Sequence, residues 1–169
     1  PTHTYAANGL YTARLQVSDS VTSTLSSGLK ITVGTPPTVT IQTPSDGIPF
    51  VAGDSIVYSG SGFNSSGDPL PAGAYAWNIL FHHETHVHPA GGPFPGATGS
   101  FTIPSSGHDF GGATNYEFVL TVTDADWLVA SASVRAYPSK VNVTFNTQPE
   151  GLALDVDGIG DKKLRVVLE

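Results

Sequence analysis

The sequence predicts an all-β protein, and three observations carry that prediction. Tyr, Trp, Phe, Val, Ile and Thr are spaced along most of the chain, and 39% hydrophobic with 9% aromatic residues suffice for a packed β-rich core. Charged residues make up 12%, about half the usual share for a soluble domain. Their place is taken by 18 Thr, 17 Ser, 19 Gly and 13 Pro, a mixture that suits short strands and tight turns and disfavours helix. Third, the runs Tyr11-Thr-Ala-Arg-Leu-Gln-Val-Ser-Asp19 and Tyr116-Glu-Phe-Val-Leu-Thr-Val-Thr-Asp124 alternate with period two, so Tyr, Leu and Val of each share one strand face before an Asp begins a turn.

Length and charge bound the function. A chain of 169 residues allows one comfortable domain or two small ones. A net charge of −7 argues against a phosphate backbone or an anionic membrane as partner. Without Cys there is no disulfide framework, thiolate metal site or Cys nucleophile. No apolar run nears 18 residues, the longest lying around Ile79-Leu80-Phe81. Cysteine-free, Thr/Ser/Gly-rich composition of low charge is that expected of an exported bacterial module, secreted or at the cell surface. A first residue other than Met suggests an excerpt or a mature product.

The two alternating runs belong to an internal repeat, found without a gap when the chain is slid by 105 residues. Thr2-His3-Thr4-Tyr5 falls on Gly107-His108-Asp109-Phe110, and Tyr11, Leu15, Val17 and Asp19 fall on Tyr116, Leu120, Val122 and Asp124. A second strand follows in each copy, over 25–33 and 128–137, and each ends in proline, at Pro36-Pro37 and Pro138.

Pro1-Thr2-His3-Thr4-Tyr5, with Gly9-Leu10-Tyr11 and Leu15-Gln16-Val17-Ser18-Asp19, resembles the C-terminal half of a PKD (polycystic kidney disease) domain. The resemblance implies an immunoglobulin-like antiparallel β-sandwich. Residues 1–35 are then the C-terminal half of one repeat and 36–140 a complete one. In the latter, Pro37-Thr38-Val39-Thr40-Ile41 resembles the first strand, Gly53-Asp54-Ser55-Ile56-Val57-Tyr58 the second, and Tyr75-Ala76-Trp77 the aromatic strand. Residues 141–169 read as a truncated β-module or add-on hairpin. The half-repeat cannot cover its own apolar face of Tyr5, Tyr11, Leu15 and Val17, and is expected to dock on the second copy, the tail or another chain. The sequence departs from the family after Trp77, where a short Phe-Gly-Asp-Gly turn gives way to Asn78-Ile79-Leu80-Phe81 and a His-rich insertion.

That insertion holds the main candidate for chemistry, because five of the six histidines lie in 82–108 and four within 82–88. A strand continued from Tyr75 places Tyr75, Trp77, Ile79 and Phe81 on the core face and His82, Glu84, His86 and His88 on the other. Neighbours two apart are separated by about 6.5 to 7 Å, a spacing from which two imidazoles can converge on one ion. His86 and His88 are the favoured pair, with Glu84, His82 or a distant His108 as third ligand. Such ligands suit zinc, copper or nickel better than calcium. The alternative is a solvated hairpin edge that binds no metal. His83 is a candidate for direct contact with a polar ligand.

Asp124 and Asp126 form a short acidic turn that can offer oxygens to calcium, although Asp in such places commonly bonds its own backbone. Trp127 and Phe94 lie in turn or Gly/Pro-rich segments where exposed rings can stack on sugar faces, or instead fold back over the sandwich. No Gly-x-Ser-x-Gly elbow, His-Glu-x-x-His helix, Walker loop or Rossmann fingerprint occurs, and no enzyme is expected. Bacterial PKD modules accompany chitinases, cellulases, proteases and sugar-oxidising enzymes. The resemblance therefore implies a non-catalytic accessory module that presents the insertion 82–96 as its binding surface, for polysaccharide above all and for a metal besides, and is partnered by polysaccharide or a neighbouring catalytic domain. The alternatives are a structural spacer with a metal-stapled loop and, more remotely, a metal-dependent enzyme.

Overall fold

The structure is a computed structural model and describes residues 2–105, 112–141 and 148–150. The fold is all-β: the described residues hold twelve strands and one 3-10 turn, Ala72–Ala74, and no helix among them is long and apolar enough to cross a membrane. The strands are β1 (Gly9–Ala13), β2 (Gln16–Ser18), β3 (Ser23–Leu25), β4 (Leu29–Val33), β5 (Thr38–Thr43), β6 (Ile48–Phe50), β7 (Ser55–Phe63), β8 (Tyr75–His83), β9 (His86–Pro95), β10 (Thr98–Thr102), β11 (Asn115–Thr123) and β12 (Val129–Pro138).

Two sheets, β10-β7-β5 and β6-β12-β11-β8-β9, pack face to face as a sandwich. Alternation builds the interface. Tyr75, Trp77, Ile79 and Phe81 of β8 and Tyr116, Phe118, Leu120 and Val122 of β11 are all buried, as their period of two predicts. From the facing sheet Tyr58 meets Trp77, ring centroids 4.7 Å apart. The second half of β7 turns backbone rather than side chains toward this core: a Cβ at Gly60 would overlap Leu120 Cδ2 and lie 3.2 Å from Trp77 Cζ2. Between β5 and β6 the chain changes sheets, leaving β6 parallel to β12.

The repeat folds into the same hairpin twice. Tyr11 pairs with Ile31 as Tyr116 pairs with Ala136, which keeps the 105-residue offset on both strands. Asp19 and Asp124 then do the same work: Asp19 Oδ1 accepts from the Val21 and Thr22 amides, and Asp124 Oδ1 from those of Asp126 and Leu128.

Among the described residues the first copy is covered less than the second. Leu15 and Val17 are 61% and 62% exposed, whereas their repeat partners Leu120 and Val122 are fully buried. Among the described residues no second sheet lies over the apolar face of the β1–β4 hairpin, and Asn8 Nδ2 of this copy lies 3.3 Å from Asp126 Oδ2 of the sandwich. Of the tail, residues 142–147 and 151–169 lie outside the described residues.

Candidate ligand sites at the two ends of the sandwich

The His-rich segment is a tight hairpin. β8 and β9 are joined by the two residues Glu84 and Thr85, with His83 directly opposite His86, His82 opposite Val87 and Phe81 opposite His88. Glu84 adopts φ 49°, the left-handed conformation that a two-residue connection demands and that Gly or Asn ordinarily supplies.

This turn overturns the expected common face of His82, Glu84, His86 and His88. Across a two-residue turn, positions i and i+3 share a face, so odd residues of β8 join even residues of β9. His83, His86 and His88 therefore stand together on the face that carries Phe81, with ring centroids 3.9 Å (His83 to His86), 5.1 Å (His83 to His88) and 6.4 Å (His86 to His88) apart. Phe81 closes the end of the core beneath them, its centroid 5.3 Å from His83 and 5.5 Å from His88. As the rings stand, no three His, Asp or Glu side chains among the described residues are set around a common ion position. His108 lies outside the described residues.

His82 faces the other way. Its Nε2 lies 2.7 Å from Glu117 Oε2, and Glu117 also accepts from Ser133 Oγ at 2.6 Å, with Arg135 Nη2 at 3.7 Å. Burial pushes the Glu117 carboxyl up, but the Ser133 and His82 hydrogen bonds and the charges of Arg135 and His82 prevail and hold it below its ordinary value. An imidazole engaged in this pair is a structural group of the sheet's outer face. Phe94 is likewise absorbed by packing: it lies against the core and stacks on Tyr58 at 6.4 Å.

The other end of the sandwich carries the β11–β12 turn. Asp124 Oδ1 accepts the Asp126 amide at 2.9 Å and the Leu128 amide at 2.8 Å, and the Asp124 amide donates to the Leu128 carbonyl at 3.0 Å. This tight loop buries Leu128 and swings Trp127 outward, 75% exposed at φ 63°. A calcium ion needs six to eight oxygens. Asp124 spends one carboxylate oxygen on its own turn, and an Asp126 oxygen takes the Asn8 amide.

Trp127 forms one wall of a cavity of about 550 Å³, within the range of small-ligand sites. Asn8, Asn64, Ser66 and Asp126 supply polar groups around it and Leu70 an apolar patch. The opposing loop is held by Asn64, whose Oδ1 accepts the Ser66 and Asp68 amides at 3.0 and 2.8 Å. Sequence reasoning picked out Trp127 but missed Asn8, Asn64 and Leu70, which come from remote segments with no motif to join them. It also left His83 out of the metal set, a place that only recognition of Glu84-Thr85 as a two-residue turn would have restored.

No protein-family model matches the chain, and no curated protein matches it.

Proposed function

We propose that this chain is a non-catalytic, PKD-like accessory module of a secreted or cell-surface bacterial multidomain protein, and that it binds polysaccharide at the Trp127 cavity. The strand order supports the immunoglobulin-like part of this reading. β5, β7 and β10 occupy the places of strands A, B and E, and β8, β11 and β12 those of C, F and G.

The exposed indole of Trp127 carries the binding reading. A large apolar ring held out on a strained turn, three quarters of it open to solvent, offers a flat face to the C–H side of a sugar ring. Asn8, Asn64, Ser66 and Asp126 surround it with the amide, hydroxyl and carboxylate groups that bond sugar hydroxyls. The acidic surface suits a neutral or cationic glycan better than a polyanion.

Pull-down on insoluble cellulose and chitin, with affinity electrophoresis in soluble xylan and mannan, tests the reading. Retention on at least one polymer is expected, with loss in Trp127→Ala at unchanged melting temperature. No retention on any of the four, or equal retention by the variant, overturns it.

A further inference from the structure

Three imidazoles stand together on one face of a hairpin tip. His83 and His88 flank buried Phe81, but a Leu or Phe in either place would cover that ring with more apolar area. His86 is exposed and adds no cover.

Their spacing matches another task. A metal 2.0 to 2.1 Å from a ring nitrogen sits about 3.2 Å from the ring centroid, so two imidazoles at a tetrahedral angle have centroids about 5.2 Å apart and two at a right angle about 4.5 Å. At that radius the observed 3.9, 5.1 and 6.4 Å correspond to angles of about 75°, 105° and 180° at the metal, a T-shaped set with His86 and His88 on opposite sides of the ion. The rings now lie edge to face, and no ion position is preset. Rotation about Cβ–Cγ swings the ring nitrogens while leaving each centroid almost in place, so convergence needs little backbone movement. We propose that His83, His86 and His88 bind one divalent transition metal of the zinc, nickel or copper(II) class, stapling β8 to β9 at their tip. Neutral imidazoles select these borderline ions over calcium and magnesium. The site is independent of the polysaccharide reading, because the nine residues of β8 separate it from the Trp127 turn by about 26 Å.

The test is calorimetric titration of the tag-free full chain, stripped with chelator, against Zn(II), Ni(II) and Cu(II) salts in turn, with electron paramagnetic resonance of the Cu(II) sample. Expected are one ion per chain and nitrogen hyperfine structure. His86→Ala and His88→Ala should each weaken binding by more than about tenfold, the least that loss of even an outer-shell partner costs, while His82→Ala should leave it unchanged. Exposed His86 can be replaced without disturbing the core, so that variant decides the matter even where His88→Ala fails to fold. No binding by any of the three ions at millimolar concentration, binding undiminished in His86→Ala, or an equal loss in His82→Ala overturns the proposal.

Discussion

His83 and His86 face each other across a two-residue turn, their ring centroids 3.9 Å apart. That pairing decides which histidines meet. Because side chains alternate, a turn longer by one residue would change which residues of β9 share a face with His83 and Phe81. The turn is bought with backbone strain at Glu84, and Trp127 at the other end of the sandwich is the second non-glycine with positive φ among the described residues.

Strain at these two positions is measurable. The left-handed conformation costs a non-glycine residue roughly 1 to 2 kcal/mol, against roughly 0.5 to 1 kcal/mol for the extra unfolded-state freedom of Gly. Glu84→Gly and Trp127→Gly should therefore leave stability unchanged or raise it by up to about 1 kcal/mol in urea unfolding. Trp127→Gly should at the same time lose polysaccharide retention. A loss of more than about 1 kcal/mol in either variant would mean that the side chain contributes packing the structure does not show.

The repeat offers matched leucines in unmatched surroundings. Leu120→Ala empties a fully buried site and should cost about 2 to 5 kcal/mol, whereas Leu15→Ala at the corresponding exposed position should stay within about 0.5 kcal/mol. Equal costs would show that the first hairpin is covered in solution. In the same core, Gly60→Ala should cost about 1 to 3 kcal/mol, because its methyl would press on Leu120 and Trp77 and sit 3.1 Å from the Thr40 carbonyl oxygen.

Asp124 should matter as a hydrogen-bond acceptor rather than as a calcium ligand. Asp124→Ala strands the Asp126 and Leu128 amides and should cost about 1 to 3 kcal/mol, while Asp124→Asn keeps the Oδ1 acceptor and most of the stability. Melting of the unaltered chain should be the same in millimolar calcium and in chelator. A rise with calcium that Asp124→Asn abolishes would restore the metal-turn reading.

Glu117 predicts an acid-side dependence. Its folded-state pKa lies below the ordinary 4.5, so its contribution is fully present above that value and is lost as pH falls through the depressed one. The stability gap between the unaltered chain and Glu117→Gln should therefore be widest near neutrality and should close as the pH falls below about 4.5. A gap independent of pH would remove the carboxylate from the account.

Local pattern alone made the strands and their core faces legible. Tyr75, Trp77, Ile79 and Phe81, like Tyr116, Leu120 and Val122, lie two or four apart, and any extended chain puts such residues on one side whatever it packs against. The repeated Asp turns were legible for the same reason, since a carboxylate bonding amides two to four residues on needs no distant partner.

What the sequence determined by itself was therefore period, composition and the residue types at each site. The tertiary structure decided which of them meet. Glu84-Thr85 carries no Asn-Gly or Asp-Gly signal, so the register that groups His83 with His86 and His88 and gives His82 to Glu117 emerged only with the strands paired. The Trp127 cavity joins Asn8 to Asp126 across 118 residues of chain. Proximity of that kind depends on how the sheets close over a shared core, a property of the whole packing that no local run of residues encodes.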